Sequence, residues 1–280
     1  MSVVAFLDLD RTLIYSAAAL DLTMPDHEAP RLLCVEVYRG APLSFMTEDA
    51  VAALAALREV AEIVPTTTRT PEQLARVHLP GPPPRHAIAA NGGHVLVDGE
   101  PDPAWTTLVR ERLSGSAPLA QVQEHLSAVS GSFVLNRRTA SGLFCYAVVD
   151  RSAVPAGWVQ ALAAWCDERG WSVSLQGRKV YAVPRELRKS SAAREVADRL
   201  GANLTLAAGD SLLDADLLDA ADLAVRPAHG ELHDTGWTRD GLVVTAARGG
   251  AAGAELLGHL RELALRRSAV HGRTPAHGRV

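Results

Sequence analysis

Cysteine is scarce in this 280-residue chain. There are three, Cys34, Cys145 and Cys166. The odd number and the lack of a C-x-x-C pair leave neither a disulfide framework nor a cysteine zinc site, and free thiols fit a reducing cytoplasm. Long hydrophobic runs are lacking too. No stretch reaches the roughly 18 uninterrupted apolar residues of a membrane span, and the N-terminus carries neither the basic leader nor the small-residue cleavage site of a signal peptide. Positive charge is not in excess: 28 Lys and Arg stand against 32 Asp and Glu, for a net charge of −4. No broad basic field exists to draw nucleic acid or anionic lipid, so an anionic ligand needs local positive charge. What is present is apolar mass. Hydrophobic residues make up 48%, enough to build the core of one large domain or two modest ones. No internal repeat is visible.

The apolar pattern predicts alternating strands and helices. Residues 3–9, VVAFLDL, read as a buried parallel strand that ends in the polar cluster Asp8, Asp10, Thr12. A hairpin is predicted over 33–45 around Arg39-Gly40, then a helix capped by Thr47 with Glu48 and Asp49 in its first turn. A second strand covers 60–64, Pro71 opens a helix, and a third strand covers 86–90 before Asn91-Gly92-Gly93. Between 98 and 184 the pattern becomes αββαββ, a layer of antiparallel sheet backed by helices. Alternation then returns, with strands at 204–207, 223–225 and 242–245 and helices at 190–200, 215–221 and 251–265. The prediction is an α/β fold: a doubly wound parallel sheet interrupted by an inserted α+β domain. The core would span 1–97 and 185–265 and the insertion 98–184, with 266–280 as a disordered tail. His271 and His277 fall in that tail, where disorder outweighs metal binding.

In such a sheet, ligands sit beyond the carboxyl ends of the strands. Four polar clusters fall there: Asp8-Leu9-Asp10-Arg11-Thr12, Thr66-Thr67-Thr68-Arg69, Lys189, and Gly209-Asp210-Ser211 with Asp214. Together they supply three or four carboxylates, one or two hydroxyls and an ammonium. That inventory suits phosphoryl transfer. Mg²⁺ takes oxygen ligands and keeps water, so a few carboxylates suffice. A carboxylate can attack phosphorus and divide one hard step into two, while Lys, hydroxyl and metal stabilise the equatorial oxygens. A second carboxylate two residues on can protonate the leaving group and then activate water.

The same pieces resemble the four motifs of the haloacid-dehalogenase superfamily. FLDLDRTLI is similar to D-x-D-x-T, IVPTTTR to the second motif, Lys189 after VPRELR to the third, and LAAGDSLLDADLLDAAD to the fourth, G-D-x-x-x-D. Order and spacing agree, and ANGG at 90–93 with the insertion after it resembles the large-capped, Cof-type branch. The resemblance covers about 1–265. It implies a Mg²⁺-dependent phosphatase acting on a small phosphorylated metabolite, a sugar phosphate or a related compound. Asp8 would be nucleophile and metal ligand. Asp10 would be general acid/base, with its backbone carbonyl on the metal. Thr67 and Lys189 would hold the phosphate, Asp210 would bind metal, and Asp214 would be a metal ligand or a supporting carboxylate.

Four features depart from the family pattern. Arg11 replaces the commoner Gly and stands beside the site. The Thr run leaves Thr66 as a rival to Thr67. Leu213 replaces the Asn often found before Asp214, and 16–44 is unusually long and suggests an enlarged flap. Plainer readings accompany each candidate: a solvated lysine for Lys189, a helix cap for the threonines, a helix N-terminal acid for Asp214, a turn residue for Asn91. Arg137, Arg138, Arg178 and Lys179 could greet an anion, but a solvated face explains them as well. The five tryptophans read as core or interface. A phosphotransferase or phosphomutase would use the same aspartyl-phosphate, and a binding protein could keep the fold without turnover. Substrate and oligomeric state stay open at this level.

Overall fold

A computed structural model describes residues 2–271. Its centre is a five-stranded parallel sheet. The strands lie in the order Val243–Val244, Leu223–Arg226, Leu204–Ala208, Val3–Leu7, Glu62–Pro65. Strand Val3–Leu7 is buried on both faces, as its unbroken apolar run requires. Its odd residues Val3, Ala5 and Leu7 pack with Leu54, Leu57, Leu256 and Leu260 from helices Glu48–Arg58 and Gly249–His271. Its even residues Val4 and Phe6 pack with Ala192, Val196 and Leu217 from helices Lys189–Leu200 and Ala215–Ala220. Two faces covered by helices make the fold doubly wound.

A second layer follows from the αββαββ pattern. Strands Trp171–Gln176, Lys179–Pro184, Phe144–Val149 and Val134–Ala140 form an antiparallel sheet in that order. Helices Pro103–Leu113, Leu119–Ala128 and Trp158–Asp167 bury Val109, Val122, Leu126 and Leu162 with Cys145, Ala147 and Val149 of the sheet. Tryptophans are structural here: Trp105 and Trp171 are buried, and their indole N–H groups donate to the carbonyls of Gly92 and Ala117.

Two expectations differ from the result. Strand His86–Ala89 does not continue the parallel sheet. It pairs antiparallel with His94–Val97, and one parallel bridge, Thr66 with Ile88, ties it to the core. Left-handed backbone at Ala90, Asn91 and Gly92 reverses the chain there. Gly92 is needed for close approach as well, since a Cβ would lie 2.3 Å from the carbonyl oxygen of Arg188. The last helix also runs to His271, past the boundary expected at 266; His277 and the rest of the expected tail lie outside the described residues. Among the described residues, no helix is long and apolar enough to cross a membrane.

The long segment after the first strand holds the hairpin Leu32–Tyr38 with Ala41–Thr47, closed by left-handed Arg39 and Gly40. Register shifts on both sides of Glu36 interrupt the alternation, and Glu36 is buried.

Candidate active site

Sheet register alone gathers the first, second and fourth polar clusters. Leu7 pairs with Pro65 on one side and Ala208 on the other. The next residue on each strand is therefore Asp8, Thr66 and Gly209, all at one carboxyl edge. Asp8 N–H donates to the Ala208 carbonyl at 3.0 Å, and Thr66 N–H to the Leu7 carbonyl at 2.8 Å. Lys189 arrives from the N-terminus of its helix and is fully buried.

The Lys189 ammonium donates to Oδ1 of Asp8 at 2.6 Å and to Oδ1 of Asp214. Oδ2 of Asp214 accepts from the Ser211 hydroxyl and N–H at 2.7 and 2.9 Å and from Asp210 N–H at 3.2 Å. Both its oxygens are engaged, so Asp214 aims Lys189 and closes the 209–214 loop. Asp8, Asp210 and Asp214 each offer an oxygen within 4.8 Å of the others. Burial, with Asp214 adding to it, pushes the Asp8 carboxyl up to about 7. Burial and the neighbouring Asp8 and Asp214 raise Asp210 as well. Burial disfavours the Lys189 cation, but Asp214 and Asp8 outweigh it and raise its pKa. Among the described residues, Oδ2 of Asp8 and Oδ1 of Asp210 accept no hydrogen bond. Crowded buried carboxylates with unengaged oxygens are a donor set that fits a hard divalent cation.

Arg11 adopts φ +65, the left-handed conformation that explains why glycine is common at this place in the motif. Its guanidinium donates to Oδ2 of Asp210 at 3.2 Å, and its carbonyl accepts from Nε2 of His229 at 2.8 Å. Gly249 N–H donates to Nδ1 of His229 at 3.1 Å, which fixes a neutral imidazole with its proton on Nε2.

Asp10 is held by Arg69. Nε and Nη2 of the guanidinium reach its two oxygens, each at 2.8 Å. Burial works to raise the Asp10 carboxyl, but Arg69 overrides it and holds it down at about 2. Arg69 is gripped in turn by the buried Glu36, whose Oε2 accepts from Nη1 at 2.9 Å and from the Ser44 hydroxyl at 2.7 Å, while Oε1 accepts from Arg76 at 3.2 Å. The flap hairpin thus reaches the site through Glu36 and Arg69. Glu36 was invisible to periodicity because the bulge that turns it inward leaves no mark in an alternating run.

The two threonines separate. Thr66 donates its hydroxyl back to the Val64 carbonyl at 3.0 Å, whereas the Thr67 hydroxyl oxygen accepts from Arg69 N–H at 3.2 Å and keeps its own hydrogen to donate. Asn91 is not brought to the carboxylates; its side-chain amide donates to the Leu187 carbonyl at 2.8 Å and secures the turn. Glu231 carried no sequence signal, yet its carboxylate accepts from Ser174 Oγ, Leu175 N–H and Leu212 N–H at 2.5, 2.9 and 3.0 Å. It clasps the antiparallel sheet to the Asp210 loop.

No protein-family model matches the chain, and no curated protein matches it by sequence. Solved structures do. The sucrose-phosphatase of Synechocystis sp. PCC6803, crystallised with sucrose and phosphate, is 17% identical with a TM-score of 0.64, over 93% of this chain and 98% of that one. A HAD subclass IIB sugar phosphatase is 12% identical with a TM-score of 0.54, over 92% of this chain and 98% of that one. The C-terminal domain of the C. albicans trehalose-6-phosphate phosphatase is 11% identical with a TM-score of 0.55, over 93% of this chain and 92% of that one. The chain has the fold of the haloacid-dehalogenase phosphatases, a doubly wound parallel sheet with an inserted α+β layer.

Proposed function

We propose that this chain is a magnesium-dependent phosphohydrolase that cleaves a small phosphate monoester through an aspartyl-phosphate on Asp8. The observation that carries the reading is the Asp8 carboxylate: Lys189 fixes one oxygen, the other is unengaged, and Asp8 clusters with Asp210 and Asp214. Mg²⁺ would be held by Asp8, Asp210 and the Asp10 carbonyl. When bound, it would supply positive charge that offsets the negative charge of the carboxylates and of the phosphoryl group.

Oδ2 of Asp8 attacks phosphorus as the bond to the leaving oxygen breaks. Lys189 and the free hydroxyl hydrogen of Thr67 stabilise the equatorial oxygens. Asp10 gives a proton to the leaving oxygen, then takes one from the water that attacks phosphorus; the bond from phosphorus to Oδ2 of Asp8 breaks, and phosphate departs. In the free protein Arg69 keeps Asp10 ionised. An arriving phosphoryl dianion raises its proton affinity, since like charge disfavours the carboxylate. Residues 98–184 act as a cap over the crevice that excludes water and bulky partners. The similar structures are a sucrose-phosphatase, a sugar phosphatase and a trehalose-6-phosphate phosphatase, which supports a sugar phosphate or a related metabolite as substrate. Three cysteines outside any disulfide support a cytoplasmic setting.

The test is phosphate release from a broad panel of phosphate esters with Mg²⁺ and with a chelator. Magnesium-dependent release without an added acceptor is the expected result. Transfer only to an added alcohol would make the chain a phosphotransferase or mutase, and no turnover on any ester would make it a binding protein.

A further inference from the structure

Strand register sorts the basic residues of the inserted sheet. Directly opposed residues of an antiparallel pair share a face. Tyr181 opposes Tyr146 and Ser174, Lys179 opposes Val148 and Gln176, and Arg138 opposes Tyr146. The alternate residues Val180, Ala182, Cys145 and Ala147 are buried with the helices. Lys179, Tyr181, Tyr146 and Arg138 therefore share the other face, and Arg137, opposite Ala147, does not. That face is turned to the core: Gln176 donates to the Ser211 hydroxyl at 2.9 Å, and Tyr181 neighbours Thr68.

Lys179 stands out on this face. Its ammonium lies 5.8 Å from the Tyr146 ring centroid and 6.0 Å from that of Tyr181. Among the described residues its side chain has no hydrogen bond and no ion pair, although Asp10 and Arg69 are its electrostatic neighbours. Lys179 is half-buried, the two rings attract its cation, and its N–H donors, bonded to no protein group, are open to a ligand. Lys189, by contrast, is committed to two carboxylates. Lys189 and Thr67 serve the transferred phosphate, and Asp10 marks where the leaving oxygen goes. Lys179 lies on the sheet face turned to the core and neighbours Asp10, which puts it on the leaving-group side.

We propose that Lys179 selects substrate by pairing with an anionic group on the leaving alcohol, a carboxylate or a second phosphate. The preferred substrates are then phosphate monoesters of an acidic alcohol. This rests on the phosphohydrolase reading above and narrows it.

The experiment compares matched esters: 3-phosphoglycerate against glycerol 3-phosphate, and fructose 1,6-bisphosphate against fructose 6-phosphate. Wild type should prefer the anionic member of at least one pair by about tenfold or more in kcat/KM, the worth of one charge-assisted contact. Preference in the first pair alone identifies a carboxylate, in the second alone a phosphate. Lys179→Met should bring the ratio to within about threefold of one, and Lys179→Arg should retain it. A wild type that does not discriminate overturns the proposal. So does a Lys179→Met variant that loses equally on both members, which would make Lys179 a positioning residue for Asp10. If wild type releases no phosphate from these esters or from p-nitrophenyl phosphate with Mg²⁺, the hydrolase reading fails. Calorimetric titration of Asp8→Asn with the same pairs, with and without Lys179→Met, still decides the role of Lys179 through the same ratio in affinity.

Discussion

The ammonium of Lys189 lies 2.6 Å from Oδ1 of Asp8, across 181 residues of sequence, and donates to Asp214 from the same fully buried position. One cation therefore compensates two buried carboxylates. Removing one partner of such a group leaves uncompensated charge and costs about 3–5 kcal/mol. Lys189→Met should lower the melting temperature, and added Mg²⁺ should restore part of the loss, because a divalent cation at the same carboxylates replaces the missing charge. Thermal melts of variant and wild type with and without Mg²⁺ check this; equal melting temperatures in the absence of Mg²⁺ would show that the ammonium does not compensate the pair.

Arg11 bears on the proposed metal site in two opposed ways. Its left-handed backbone costs about 1 kcal/mol relative to glycine, and its guanidinium sits on Asp210. Arg11→Gly should raise stability slightly and bind Mg²⁺ more tightly. The gain should be only severalfold, since the Arg11 side chain is 35% exposed and solvent screens its charge. Calorimetric Mg²⁺ titration is the measurement, and weaker binding in the variant would mean that Arg11 supports the site.

Glu36 accepts from Arg69, Arg76 and Ser44 while fully buried. Glu36→Ala strands two guanidinium groups and a hydroxyl, at a cost of about 3 kcal/mol. Arg69 then loses one of the two groups that orient it toward Asp10, so kcat should fall with KM little changed. Steady-state kinetics on any accepted ester checks the split.

His229 gives a pH dependence. Burial, first, lowers its pKa below the ordinary imidazole value, and burial lowers His86, His94 and His125 in the same direction. The unfolded chain then binds protons more readily than the fold. The associated stability is complete above the unfolded value of about 6.5 and is lost as pH falls below it toward the folded values. The histidine contribution to melting temperature should hold between pH 7 and 8 and decline from about pH 6.5 downward, set against Asp8 and Asp210, whose raised carboxyls contribute more as pH falls. His229→Gln, which keeps an N–H donor for the Arg11 carbonyl, should show a shallower decline.

Much of this was legible in the sequence. An apolar run ending in Asp8-Leu9-Asp10 predicts a buried strand with carboxylates at its end, and Thr47 before Glu48 and Asp49 predicts a helix start; the Thr47 hydroxyl does accept from Ala50 N–H. What sequence could not show depends on geometry that breaks a period or joins distant elements. Glu36 turns inward at a bulge, strand His86–Ala89 leaves the parallel sheet because three residues take left-handed backbone, and Glu231 acquires its role only when Ser174 and Leu212 meet it. Lys179 and Arg137 looked alike until the register placed them on opposite faces.

Asp8 is the proposed nucleophile of a magnesium-dependent phosphohydrolase. It is tested most directly by the phosphate-release rate of Asp8→Asn relative to wild type, with Mg²⁺ and with folding verified by circular dichroism. The expected result is a loss of about 10⁴-fold or more, since the attacking group is removed. A folded variant that turns over within about tenfold of wild type would contradict it.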